Sequence, residues 1–225
     1  MFKRYAIYYT PPPGDFARRG AAWLGWDVQA GEAVAHPDIA GLDVAKLTQR
    51  PRKYGLHGTV KAPFFLADAT NAAQLTDGLA AFCKGQAPVQ LDGLALSQIG
   101  RFLALVPQGD TTALGSLAAS ANVVLDAFRA PLSEAEFTRK NASYLTDQQR
   151  IYLKTYGYPH IMEYFRFHIT LTGPLAPDQI DPVKTALHRY LGSDTPAPFT
   201  IDSLTLCGED AQGCFHEVER FALGI

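Results

Sequence analysis

Two histidines, each followed two residues later by a threonine, are the residues of this chain best suited to chemistry: His57-Gly58-Thr59 and His168-Ile169-Thr170. Imidazole is the side chain that takes or gives a proton near neutral pH, and a threonine hydroxyl can donate a hydrogen bond. Used as a pair, one imidazole acts as base toward water and the other as acid toward a departing alkoxide. Each such positioned transfer contributes about a hundred- to ten-thousandfold in rate. The threonines would hold the non-bridging oxygens of a phosphodiester, where charge gathers in the transition state.

A lone His-x-Thr is a weak signal, but here its surroundings repeat. His57-Gly58-Thr59-Val60-Lys61-Ala62-Pro63 aligns with His168-Ile169-Thr170-Leu171-Thr172-Gly173-Pro174, with histidine, threonine and proline at the same offsets. A helical pattern follows each. Then Ala87-Pro88-Val89-Gln90-Leu91-Asp92 aligns with Ala197-Pro198-Phe199-Thr200-Ile201-Asp202, and each is followed by further strand and turn. This is an internal duplication of a strand–helix–strand–strand unit.

Alternation along a strand puts residues two apart on one face. His57, Thr59 and Lys61 then share a face, as do Arg166, His168, Thr170 and Thr172. The opposite faces carry Leu56, Gly58, Val60 and Ala62 in one motif and Phe165, Phe167, Ile169 and Leu171 in the other, which suits a core. Two such lobes about a pseudo-twofold axis bring both polar faces to one groove. Lys61 or Arg166 would supply a cation there, although Lys61 corresponds to Thr172 and its charge is not part of the repeat.

Periodicity and turn residues place the supporting elements. Strands are expected at about 3–10, 56–66, 88–97, 102–107, 164–172, 199–206 and 214–222, and helices at about 15–24, 70–84, 111–129 and 177–191. The stretch from 25 to about 53 reads as irregular. A helical insert at about 133–157 lies between the two halves and could cap the groove, with Tyr144, Arg150, Lys154 and Tyr158 as candidate substrate contacts. Tyr5, Tyr8 and Tyr9 on the first strand fit core packing better than base stacking. His36, His160, His188 and His216 are read as structural.

Composition narrows the partners. A chain of 225 residues with 47% hydrophobic and 19% charged residues buries a real core. A formal net charge of −2 argues against gripping long nucleic acid and leaves room for a small phosphorylated substrate. No apolar run is long enough to cross a bilayer, no leader pattern opens the chain, and a cytoplasmic location is expected. Cys83, Cys207 and Cys214 fit no common zinc spacing, even with His216 nearby, so reduced thiols and no metal or other cofactor are expected. The chain has no G-x-x-x-x-G-K-[ST] loop, no G-x-S-x-G elbow and no H-E-x-x-H.

The two motifs, HGTVKAPF and FRFHITLTGPL, resemble those of the two-histidine (2H) phosphoesterase superfamily, which includes RNA 2',3'-cyclic phosphodiesterases and the 2'-5' RNA ligase-like (LigT-like) proteins. The longer stretches YGLHGTVKAPF and GYPHIMEYFRFHITLTG are similar to a subfamily encoded beside phosphonate-degradation genes. The resemblance covers both halves of the chain. It implies an α+β fold in a single bilobal domain over 1–225, two pseudo-symmetric lobes each with an antiparallel sheet flanked by helices, and a groove between them. The first motif region is expected at about 54–107 and the second at about 164–225. It also implies catalytic His57, Thr59, His168 and Thr170, with Lys61, Arg166, Thr172 and Tyr144 as substrate-binding candidates.

The leading expectation is thus a metal-independent hydrolase opening a small cyclic phosphodiester, such as a ribose cyclic phosphate formed in phosphonate catabolism. Two other readings share the motifs: an enzyme acting on RNA ends, and a non-catalytic module that binds a nucleotide or phosphorylated metabolite in the same groove.

Overall fold

Apolar alternation, helix caps and glycine stops divide the chain into the following elements in the computed structural model, which describes residues 2–192 and 195–224. They are β1 (Arg4–Tyr9), α1 (Asp15–Leu24), β2 (Trp26–Asp27), β3 (Glu32–Ala33), α2 (Val44–Leu47), β4 (Gly58–Phe64), α3 (Ala72–Lys84), β5 (Val89–Leu91) and β6 (Gly93–Ile99). There follow β7 (Phe102–Gln108), α4 (Thr112–Val124), α5 (Glu134–Lys140), α6 (Asp147–Tyr156), β8 (Ile169–Thr170), α7 (Pro177–Leu191), β9 (Phe199–Ile201), β10 (Ser203–Glu209) and β11 (Phe215–Ala222). Helix starts are chemically marked: Asn71 and Gln74 form a capping box for α3, Thr146 and Gln149 one for α6, and Pro177 opens α7 where its missing N–H costs nothing.

The fold is α+β. Seven strands form one antiparallel sheet in the order β11-β10-β1-β4-β8-β7-β6. Its two halves meet only where β4 pairs with β8, through Gly58 and Ile169. Hydrogen bonding interleaves the two motif regions. β4, from the first, lies beside β1, which pairs in turn with β10; β8, from the second, lies beside β7. Helix α3 packs on β10 and β11, whereas its counterpart α7 packs on β7.

The duplication seen in the sequence has a geometric counterpart. Gly58 and Ile169 are equivalent positions of the two repeats, and they face each other across the β4–β8 junction. Gln90 and Thr200 are also equivalent, and they face each other across the small β5–β9 ribbon. A residue opposite its own counterpart lies on a pseudo-twofold axis, as in a self-complementary dimer interface. The halves also share a core. Leu75 and Leu79 of α3, Leu187 and Leu191 of α7, and Ile7, Leu105 and Leu204 of the sheet belong to one buried cluster. Each such side chain contributes roughly 1.5–3 kcal/mol by leaving water.

Two stretches depart from the sequence reading. The segment expected as strand over 164–172 is a 3-10 turn at Met162–Tyr164 followed by extended chain, with only Ile169 and Thr170 in the ladder. Past Thr170 the ladder runs out because the N–H groups of Leu171 and Thr172 converge on one carbonyl, that of Leu103. The stretch from 25 to 53 is not irregular: it holds the β2–β3 hairpin, α2 and a 3-10 turn at Arg52–Tyr54.

Candidate active site

The site is built where the two halves touch. Extending the register set by Gly58 and Ile169 places His57 opposite Thr170 and Thr59 opposite His168. All four side chains project from the face opposite to Gly58 and Ile169. Directly opposed Cβ atoms in such a ladder lie about 4.5–5.5 Å apart and diagonal neighbours about 7–8 Å, so the two imidazoles flank a space of phosphate size. His57, Thr59, His168 and Thr170 together line a groove of ≈ 780 Å³. Beneath it, Phe167 packs so closely on Gly58 that a Cβ there would sit 2.2 Å from the ring; glycine is required at that position.

Both imidazoles are held by the same device. Nδ1–H of His57 donates to the carbonyl of Gly55 at 3.0 Å, and Nδ1–H of His168 to that of Arg166 at 2.8 Å. Each acceptor lies two residues upstream of its histidine. The bond fixes ring orientation and tautomer, leaving Nε2 as the nitrogen free for proton transfer. Their surroundings differ. His57 is 9% exposed, with the Tyr8 ring 4.2 Å and the Tyr54 ring 5.4 Å from its own. Burial lowers its pKa to about 4, against the opposing pull of the Gly55 hydrogen bond and with a smaller push from His168. His168 is half-buried and meets Phe102 at 5.9 Å.

Of the remaining candidates, Thr172 lines the groove, and its Oγ1 accepts from the Leu103 N–H at 3.0 Å. Lys61 does not. Tyr8 faces Thr59 and Ile7 faces Lys61, so β4 spends one extra residue, Val60, on a bulge. Asn122 on α4 satisfies the bulged carbonyl, donating from Nδ2 to Val60 O at 2.9 Å. The bulge breaks the alternation, sending Lys61 into the protein and bringing Ala62 to the groove. Lys61 is 2% exposed, its Nζ donating to Asn122 O at 3.1 Å and to Asp126 Oδ1 at 3.2 Å. Burial outweighs Asp126 and lowers its pKa to about 8.

Arg166 also lies off the groove. With no strand at that point, its guanidinium folds back to donate to the carbonyls of Glu163 and Phe165, and it lines a separate cavity with Met162. Its carbonyl serves the site, by holding His168. Tyr144 is 76% exposed and does not line the groove. Neither does Arg150, paired with Asp147, nor the exposed Lys154. Tyr158 alone of that group reaches the groove wall.

Sequence reasoning passed over the wall supplied by residues 49–54, where Arg50, Lys53 and Tyr54 line the groove. The signal was present: Arg50-Pro51-Arg52-Lys53-Tyr54 is a cationic run directly ahead of the first motif. Tyr8, read as a core residue, is both buried and part of the groove wall. No aspartate or glutamate lines the groove among the described residues.

Elsewhere, Cys83 and Cys207 are buried and Cys214 is half-buried, all as free thiols, and His216 pairs with Asp210 at 2.8 Å. No cluster of His, Cys, Asp or Glu suited to a metal ion occurs among the described residues, and no described helix is long and apolar enough to cross a membrane.

An α+β protein with paired His-x-Thr motifs across a pseudo-twofold junction is the class that fold and site define. The chain belongs to the family described as "Protein of unknown function (DUF1045)", whose model matches residues 59–216. Among curated proteins it is 34% identical, over 96% of its length, to "Ribose 1,5-bisphosphate phosphokinase PhnN" of Janthinobacterium sp. (strain Marseille). It is 33% identical, over 79% of its length, to the protein of the same name from Laribacter hongkongensis (strain HLHK9). The chain spans 50% and 41% of those two proteins. Among solved structures it is similar to one described as a phosphoesterase, with a TM-score of 0.48 at 14% identity, both chains being covered in full. It is likewise similar to E. coli LigT complexed with 3'-AMP, with a TM-score of 0.47 at 16% identity and both chains again covered in full.

Proposed function

We propose that this protein is a metal-independent phosphoesterase that opens a small cyclic phosphodiester, with His57 as base and His168 as acid. The observation that carries the reading is the junction itself: two imidazoles with matching Nδ1 anchors and two threonine hydroxyls on one face of one groove. The groove offers two further cations and no carboxylate among its described lining residues, which suits an anion handled by acid–base chemistry alone.

In this mechanism Nε2 of His57 takes a proton from a water molecule as its oxygen bonds to phosphorus. The bond from phosphorus to one ring-closing ester oxygen breaks, and that oxygen takes the proton from Nε2 of His168. Thr59 and Thr170 donate to the non-bridging oxygens, where preorganised donors act most strongly. Burial keeps His57 neutral and so able to accept a proton, while His168 is the more exposed of the two and is assigned the acid's part. The negative charge of the bound phosphate raises the basicity of His57 in the complex.

For the substrate, the relatives' name supports a specific reading. Ribose 1,5-bisphosphate is what water yields from ribose 1,2-cyclic phosphate 5-phosphate when the bond from phosphorus to O2 breaks. A chain spanning half of a protein with that name would suit the preceding step, and the motif resemblance to proteins encoded beside phosphonate-degradation genes would place it in phosphonate catabolism. Kinase activity in this segment has no motif to rest on, because the chain has no G-x-x-x-x-G-K-[ST] loop.

The test is turnover of ribose 1,2-cyclic phosphate 5-phosphate with chelator present, followed by phosphorus NMR of the product. His57→Gln and His168→Gln should each lower kcat about a hundred- to ten-thousandfold with modest change in binding. Unaltered turnover in either variant, or tight binding without turnover in the wild type, would overturn the proposal.

A further inference from the structure

The groove holds more positive charge than one phosphodiester needs, and that charge stands on a wall the two motifs do not supply. Residues 47–54 cross from one motif to the other. At the second motif, Gly173 N–H donates to Leu47 O at 2.7 Å, and a Cβ on Gly173 would lie only 3.8 Å from that of Arg50. At the first, the 3-10 turn carrying Lys53 and Tyr54 ends at Gly55, whose carbonyl anchors His57. The wall is rigid. Arg52 donates from Nε to Leu24 O at 3.2 Å and from Nη2 to Ala45 O, and Thr48 Oγ1 donates to Val44 O at 2.8 Å.

Arg52, the middle cation of the run, is therefore spent on structure, whereas its neighbours are not. Arg50 is exposed and makes no hydrogen bond or ion pair with any described residue. Lys53 is half-buried, with Nζ 5.0 Å from the centre of the Tyr54 ring. The carboxylate of Glu209, which feels its charge, is already held by Nε and Nη2 of Arg4. Two uncompensated cations thus line the same groove as the histidines, on one fixed segment.

Resting on the phosphoesterase reading, we propose that Arg50 and Lys53 form a second anion subsite, which holds a phosphate monoester carried by the substrate away from the reacting diester. Arg50 offers a planar fork for two oxygens and Lys53 a point charge, the complement a dianionic terminal phosphate calls for. The preferred substrate class is then a small sugar cyclic phosphate that bears a second, terminal phosphate.

The experiment compares ribose 1,2-cyclic phosphate with and without a 5-phosphate, in the wild type and in Arg50→Gln and Lys53→Gln. Each substitution should raise KM for the 5-phosphorylated substrate roughly ten- to a hundredfold while leaving the unphosphorylated one within about twofold. Equal effects on both substrates, or on neither, would overturn the subsite. If the wild type turns over neither compound, the hydrolase reading fails on its own, and calorimetry with ribose 5-phosphate decides the subsite. Affinity lost in Arg50→Gln and kept in His168→Gln supports it, and affinity unchanged in Arg50→Gln rejects it.

Discussion

The two motifs begin alike and end in different surroundings. In both, histidine is anchored through Nδ1 to a carbonyl two residues upstream, and the fifth residue is buried: Lys61 off the groove in the first motif and Thr172 at its wall in the second are 2% and 1% exposed. Around the first, β1 and the 3-10 turn at Arg52–Tyr54 lay two tyrosine rings against the imidazole. Around the second, the ladder stops after two residues and the imidazole stays half-open. A duplicated motif thus gives two histidines of one anchoring geometry and unequal burial, the difference on which the proposed division into base and acid rests.

The comparison can be broken most forcefully at Lys61. Its ammonium is buried and depends on Asp126, whereas Thr172 needs no counter-charge. Asp126→Ala should cost about 3–5 kcal/mol by leaving that charge unpaired and by releasing the Arg129 guanidinium, while Lys61→Met should cost less because it removes the charge itself and leaves the Asp126–Arg129 pair in place. Urea unfolding of the two variants reads the difference, and an equal loss would contradict the account of the bulge.

The inequality of the histidines is sharpened by pH. His57 is held below its ordinary value, so between about pH 6.5 and 4 the unfolded chain binds a proton that the folded chain refuses. The corresponding stability is complete above pH 6.5 and lost as pH falls toward 4, amounting to about 3 kcal/mol. His57→Gln should flatten the pH dependence of the urea midpoint across that window, and a slope identical to wild type would remove the case for a buried, neutral His57.

Smaller effects mark the edges of the comparison. Asn122→Ala should cost about 1–3 kcal/mol, because Val60 O on the first-motif bulge loses its side-chain donor, whereas its counterpart Leu171 O keeps the Trp23 indole N–H at 2.8 Å. Thermal denaturation measures this. Tyr144→Ala should change stability by less than about 0.5 kcal/mol, given its exposure, and should leave KM unchanged in a steady-state assay.

Much of this protein could be read from the order of its residues. The paired motifs, their common strand–helix–strand–strand frame, and the inward faces of Phe167, Ile169 and Leu171 follow from local periodicity, and each of those three side chains is buried. Alternation misplaced Lys61, because a bulge depends on how β4 registers with β1 and on an α4 side chain more than sixty residues away. It misplaced Arg166 for a related reason: extended sequence becomes strand only where a partner supplies hydrogen bonds, and pairing with β7 begins only at Ile169, opposite Leu105, three residues past Arg166. The motif chemistry was local, and so legible in the sequence. Which cations share the groove, how deeply each imidazole lies, and that equivalent residues of the two repeats meet on one axis were settled only when distant strands came together.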